Sequence, residues 1–211
     1  MDVNSIYEAV ISGDREAVEA GVKKAIEEGA EADVILNEGL IRAMDEVGNR
    51  FESGEFFVPE MLIAARAMKT GVAILRPLLV NSGIKPIGKV VIGTISGDLH
   101  DIGKNLVGLM LEGAGFEVVD LGTDVSSDQF VEAVRREKPN LIGLSALLTT
   151  TMAGMPEVIN KLTENNLRDS VKVFIGGAPV TQTFADQIGA DGYADDAAGA
   201  SRKAKEILAL S

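Results

Sequence analysis

The chain contains no cysteine and no tryptophan, and it has a single histidine; aromatic residues make up only 4% of its 211 positions. Without cysteine there can be no disulfide, no thiolate metal site and no cysteine nucleophile, a pattern compatible with the cytoplasm. So few aromatics leave little material for a base-stacking platform. Positive charge is also scarce, with 20 Lys and Arg against 32 Asp and Glu and a net charge of −12. Such a surface repels phosphate backbones, so no nucleic-acid partner is expected. Hydrophobic residues reach 46%, yet no apolar run approaches a membrane span, and no membrane partner is expected. The N-terminal stretch "MDVNSIYEAVISGDREAVEA" is acidic and lacks the basic-then-apolar order of a secretory signal, so a cytoplasmic location is expected.

What is present falls into two halves of different periodicity. Residues 4 to about 81 carry apolar side chains at three- and four-residue spacing in four stretches: "SIYEAVISGD", "REAVEAGVKKAIEEG", "EADVILNEGLIRAMDEVGNRFESG" and "PEMLIAARAMKTGVAILRPLLVNSG". Gly13, Gly29 and Gly54 mark the breaks, and Pro59 suits the first turn of the last helix. Four amphipathic helices on short loops predict an all-α four-helix bundle over residues 1–83. The segment "IKPIGK" ends this pattern, so 84–88 reads as a linker and 82–88 as a hinge.

From residue 89 onward, strand and helix alternate. "KVVIGTI" is β-branched and continuously apolar, as a strand buried on both faces should be. Helix 102–114 leads to "FEVVDLG", helix 127–137 to "NLIGLSAL", and helix 155–166 to "KVFIGG". A helix near 182–189, a short strand at 192–195 and a last helix at 197–210 complete the pattern over 89–211. Five such units predict an α/β domain with a five-stranded parallel sheet, Rossmann-like or flavodoxin-like in winding. Ligands of these sheets bind beyond the carboxyl ends of the strands, where the winding reverses. The segment "SGDLHDIGKN" follows the first strand there, "SALLTTTM" the third and "GGAPVT" the fourth.

The lone His100 lies in the first of these loops. Asp98, two residues earlier, can share its side in extended backbone and accept the ring N–H, which fixes the tautomer and raises the basicity of the other nitrogen. Gly103 leaves the start of the next helix open to close approach. Gly93, Gly97 and Gly103 do not fit a dinucleotide fingerprint, and neither a Walker A sequence nor a nucleophile elbow is present. A receiver domain would need an aspartate at the end of the third strand, where Ser145 and Leu147 stand. What remains is one imidazole offered to a metal whose other ligands come from elsewhere, as in a macrocycle.

These residues resemble a known family. "DLHDIG" (98–103) matches the D-x-H-x-x-G signature of cobalamin-binding domains, with "SAL" (145–147) and "GG" (176–177) as its companions. "GNRFESGEFFVPEMLIAARAM" (48–68) resembles the helical cap that precedes such domains in methionine synthase and in the corrinoid proteins of methyltransferase systems. The resemblance implies methylcobalamin or a related corrinoid, bound base-off and His-on, with His100 as the axial cobalt ligand. Asp98 and Thr151 would complete a relay, Thr151 standing where methionine synthase has a serine. Ser145, Leu147 and Thr149 would line a slot for the nucleotide tail, and Gly176 and Gly177 would let backbone approach it. Gly97, Leu99, Asp101, Gly103 and Ala197 are further implied cofactor contacts. Phe51, Phe57 and Val58 match positions that cover the cobalt's upper face, whereas Phe56 reads as bundle core.

The implied role is that of a non-catalytic corrinoid subunit carrying a methyl group in one-carbon metabolism of the methanogenic or acetogenic kind. One substrate-specific methyltransferase would load it, and a second would deliver the methyl to a thiol or to a tetrahydropterin or tetrahydrofolate acceptor. A reductive activation protein is a further implied partner. A cobalamin-dependent sensor or the cobalamin subunit of a mutase are the alternatives; the first usually carries a signalling domain and the second requires a barrel and adenosylcobalamin.

Overall fold

The computed structural model describes residues 3–81 and 85–209. The chain divides into two compact units, one running through residue 86 and grouping with residues 113–115, the other formed by 87–112 and 116 onward. Residues 82–84, which begin the expected hinge and include the first linker position, lie outside the described residues.

The helical unit contains α1 (Val3–Ser12), α2 (Arg15–Glu27), α3 (Ala32–Val34), α4 (Arg42–Glu52) and α5 (Val58–Asn81). Gly13, Gly29 and Gly54 end helices with φ of +72°, +80° and +77°, the left-handed region in which glycine carries no Cβ penalty. Asp14 caps α2 by accepting from the Ala17 amide at 3.0 Å. The third stretch, read from its spacing as one helix, is instead α3 and α4 joined by a π-helical segment, Ile35–Ile41. Gly39 sits in that widened segment, where an added Cβ would lie 3.1 Å from Val3 and 3.3 Å from Ile6. Pro59 falls in the first turn of α5, where a missing N–H leaves nothing unsatisfied, and the Glu60 carboxylate accepts from the Phe57 amide at 3.0 Å.

The second unit alternates β1 (Lys89–Thr94), α6 (Ile102–Gly113), β2 (Glu117–Asp120), α7 (Ser127–Glu137), β3 (Leu141–Ser145), α8 (Thr149–Met152), α9 (Met155–Glu164), β4 (Lys172–Gly176), α10 (Gln182–Ile188), β5 (Gly192–Ala194) and α11 (Ala197–Ile207). All strand pairs are parallel, in the order β2-β1-β3-β4-β5, which selects the flavodoxin-like winding. Side chains of α7, α9 and α10 share a core with Val91, Ile142, Val173 and Ile175. On the opposite face, Gly108 of α6 lies against Ile92 and Ile207 of α11 against Gly192. Gly93 and Gly143 make room in the central strands for the rings of Phe130 and Phe174.

The register aligns the carboxyl edge. Thr94 pairs with Ser145, Ser145 with Gly176, and Gly176 with Ala194. The three quoted segments therefore leave the sheet from one row, around the β1/β3 position where the winding reverses.

Candidate functional site

The loop after β1 is fixed before its side chains are considered. The buried Thr94 hydroxyl donates to the His100 carbonyl at 2.8 Å, and the Asp98 amide donates to the Ile95 carbonyl at 3.1 Å. Gly97 turns the chain at φ +81°, a backbone region that β-carbon sterics disfavour. Asp101 ends the loop by accepting from the Asn105 amide at 2.8 Å, which starts α6.

Asp98 is fully buried, and four donors converge on its carboxylate. Oδ1 accepts from the His100 amide at 3.0 Å and lies 2.7 Å from His100 Nδ1. Oδ2 accepts from the Leu147 amide at 2.8 Å and from the Thr151 hydroxyl at 2.7 Å. The same hydroxyl lies 3.0 Å from the Leu148 carbonyl, its longer alternative acceptor. Burial alone would push the Asp98 carboxyl up. The amides of Leu147 and His100, the Thr151 hydroxyl and the imidazole outweigh it, and hold the group well below the usual carboxylate range. An ionised carboxylate can only accept, so Nδ1 carries a proton, and in the neutral ring Nε2 keeps its lone pair.

That imidazole is 53% exposed although its partner is inaccessible. Around it the α/β unit exposes large apolar side chains: Leu99 at 74%, Ile102 at 76%, and Leu147 and Leu148 beyond 40%. Leu99, Leu147 and Leu148 belong to the β1–α6 and β3–α8 connections, and Ile102 is the first residue of α6. Exposed apolar groups gathered at a switch point mark a binding surface, since scattered ones would need no explanation. No group of three or more His, Asp or Glu able to hold a bare ion occurs among the described residues. A metal bound at His100 must therefore bring its remaining ligands with it, and a flat apolar macrocycle fits both the lone nitrogen and the leucines around it. A Cβ added to Gly103 would meet nothing within 4 Å, so the start of α6 is open on that side.

The other expected residues divide. Ser145 is half-buried at the carboxyl edge, and Thr149 is exposed in the first turn of α8. Gly176 and Gly177 are closely backed by the chain itself. A Cβ on Gly177, which has φ +120°, would collide with the Ala146 carbonyl, and one on Gly176 would lie 2.9 Å from the Ala194 carbonyl. The space these glycines spare is taken by neighbouring backbone. Ala197 is buried behind its Asp196 cap and offers little surface. In the helical unit Phe57 is 65% exposed, Val58 is exposed and Phe51 half-buried, so none of the three belongs to the buried core. Phe56, expected in that core, is half-buried instead with the Arg50 guanidinium 5.4 Å above its ring. The sequence reading passed over Thr94, Ile102, Leu148, Lys104 and Asp124; a buried threonine ending a strand and an aspartate opening a βα loop were the available signals.

A B12 binding domain family matches residues 88–202, and a second family of the same description matches residues 3–76. The dimethylamine corrinoid protein of Methanosarcina barkeri is 48% identical over 209 residues, covering 98% of this chain and 97% of that protein. The methanol:cobalamin methyltransferase complex of Methanosarcina barkeri contains a chain 35% identical, with a TM-score of 0.86 over 99% of this chain and 80% of that one. A cobalamin-binding protein from Desulfitobacterium hafniense is 32% identical, with a TM-score of 0.83 over 98% of each chain.

Proposed function

Because the chain belongs to the B12-binding corrinoid proteins of methyltransferase systems, we propose that it carries a methyl group between two methyltransferases. One would be specific for a donor of the methylamine or methanol class, the chemistry named in the relatives; the second would pass the methyl to a thiol or to a tetrahydropterin or tetrahydrofolate. A reductive activation protein and a cytoplasmic setting belong to the same reading. The corrinoid, when bound, supplies a cobalt that accepts and yields the methyl group.

The protein's own part is to present and tune one nitrogen. His100 Nε2 would ligate the cobalt in place of the cofactor's own base. Asp98 retains the Nδ1 proton and, through its charge, strengthens the other nitrogen as a donor. Thr151 and the Leu147 amide hold Asp98 in place and stabilise its charge, so that the shared proton stays on Nδ1 of the ring. With a corrinoid seated on them, Leu99, Ile102, Leu147 and Leu148 would exclude water around the imidazole. Gly97, Asp101 and Gly103 shape the loop beside the macrocycle, while Ser145, Thr149, Gly176, Gly177 and Ala197 mark the strand ends along which its tail would lie. Phe51, Phe57 and Val58 are the side chains proposed to shield the methyl group from water.

The observation that carries this reading is the exposed imidazole whose Nδ1 is held by a fully buried carboxylate. Its test is reconstitution with methylcobalamin and with hydroxocobalamin. The wild type should bind one corrinoid, and the visible spectrum of His100→Ala should shift to the base-off form. A His100→Ala holoprotein with an unchanged spectrum would remove His100 as the cobalt ligand.

A further inference from the structure

The loop bearing His100 is gripped from two sides, and only one grip has a part in the reading above. On the β3 side, Leu147 and Thr151 hold the Asp98 carboxylate. The second grip comes from residues 120–125, the end of β2 and the connection that leaves it. The Thr94 amide donates to the Gly122 carbonyl at 2.9 Å and the Val125 amide to the Thr94 carbonyl at 2.9 Å, so this connection runs beside the end of β1.

From that position Asp124 reaches into the turn before the histidine. Its Oδ1 accepts from the Gly97 amide at 2.7 Å and from the Ser96 hydroxyl at 3.2 Å. Its own amide donates to the Asp98 carbonyl at 3.0 Å. Asp124 holds φ +53°, a region that most side chains avoid and that aspartate and asparagine tolerate best. An exposed carboxylate has water for a partner and needs no protein donor, so a strained backbone spent on aiming it at one amide is informative. The same connection holds the far end of the loop through Lys104. Its side chain is 3% exposed, and Nζ donates to Asp120 at 2.5 Å while Asp120 also accepts from the Gly122 amide at 2.8 Å.

We propose that Asp124 is a positioning residue for His100: its carboxylate locks the Ser96–Gly97 turn, so that Asp98 keeps one orientation and the imidazole keeps one tautomer. The proposal concerns the site read above as the corrinoid ligand, but its first test needs no corrinoid. Because the chain has a single histidine, nitrogen-15 NMR of the apo-protein gives one pair of imidazole signals, free of overlap. The variants are Asp124→Gly, which removes the carboxylate and relieves the backbone, Asp124→Ala, and Asp124→Asn, which keeps an acceptor oxygen and tolerates the same φ.

The Gly97 amide should exchange with solvent about tenfold or more faster in the Gly and Ala variants and at the wild-type rate in Asn, with the imidazole changing from one Nδ1–H form to a tautomer mixture in the same two. Affinity for hydroxocobalamin should fall by about tenfold in step, the usual scale for a residue that orients a metal ligand. If Asp124→Ala does not fold, Asp124→Gly carries the test, since its backbone is the least strained of the three. Wild-type exchange and a wild-type imidazole spectrum in Asp124→Gly would overturn the proposal and reduce Asp124 to a turn residue. Altered imidazole signals with unchanged hydroxocobalamin affinity would uphold the positioning role, and the spectrum of the His100→Ala holoprotein would decide separately whether His100 is the corrinoid ligand.

Discussion

At the amino edge of the sheet, Asp191 accepts from the Val173 amide at 2.8 Å, from Arg168 at 2.8 Å and from Lys172 at 3.2 Å. At the carboxyl edge, Asp98 accepts from two amides, a hydroxyl and an imidazole. Burial pushes both carboxyls up, and both end below their ordinary value, but by different routes. For Asp191 the Val173 amide is joined by the charge of Arg168 and by hydrogen bonds from Lys172 and Arg168; for Asp98 the donors are two amides, a hydroxyl and the ring N–H. A carboxylate neutralised by cations is finished business electrostatically. One solvated by neutral dipoles keeps its full negative charge, and His100 is the group that feels it. The same residue type thus ties strands together at one edge and conditions a nitrogen at the other.

Three substitutions probe that difference. Asp98→Asn should have the largest effect. An amide cannot accept from four donors, and its NH2 would oppose either the Leu147 amide and the Thr151 hydroxyl or the two nitrogens of His100. The loss at neutral pH should be about 2–3 kcal/mol by urea unfolding, with a changed His100 imidazole signal. Asp191→Asn should cost about 1–2 kcal/mol and leave that signal unmoved; a shift there would mean that the edges are not independent. Both carboxyls have folded values below the unfolded one, so their stabilisation is present in full above about pH 4 and is lost as pH falls through the folded values. The gap between wild type and either Asn variant should therefore narrow on acidification; a widening gap would contradict the depressed values. Lys172→Met should be the mildest, below about 1 kcal/mol, because Lys172 is half-exposed and its ion pair is long.

Much of the α/β unit was legible because its signals are local. "KVVIGTI" could only be a buried strand, and α7 begins and ends where apolar spacing and the Ser126–Gln129 capping box place it. Strand order was not legible, since the choice between windings depends on pairings across dozens of residues. Nor was the π-helical segment, whose apolar positions keep helical spacing. Of the site, His100 and Asp98 stood out because they lie two residues apart in a matched motif. Asp124 and Lys104 did not, because each acts on a partner brought near by folding, Gly97 and Asp120 respectively. The glycines at 176 and 177 stood out in the matched motif, but their packing did not: a Cβ would meet the Ala194 carbonyl of β5 at 176 and the Ala146 carbonyl just beyond β3 at 177, which no local pattern reveals. Phe56 was misplaced for a similar reason, since the alternative to core burial was a guanidinium six residues earlier.

The row Thr94–Ser145–Gly176–Ala194 has a consequence for how this protein can vary through insertion and deletion. Residues gained or lost within a loop beyond the row leave its starting point where it was. A residue gained inside β1, β3 or β4 moves one loop's origin by about 3.3 Å along the strand and turns its side chains to the opposite face. The strands should therefore resist changes in length far more than the connections at the amino edge do. Anyone transplanting the site into another protein must carry over the stagger of the strands along with the histidine motif.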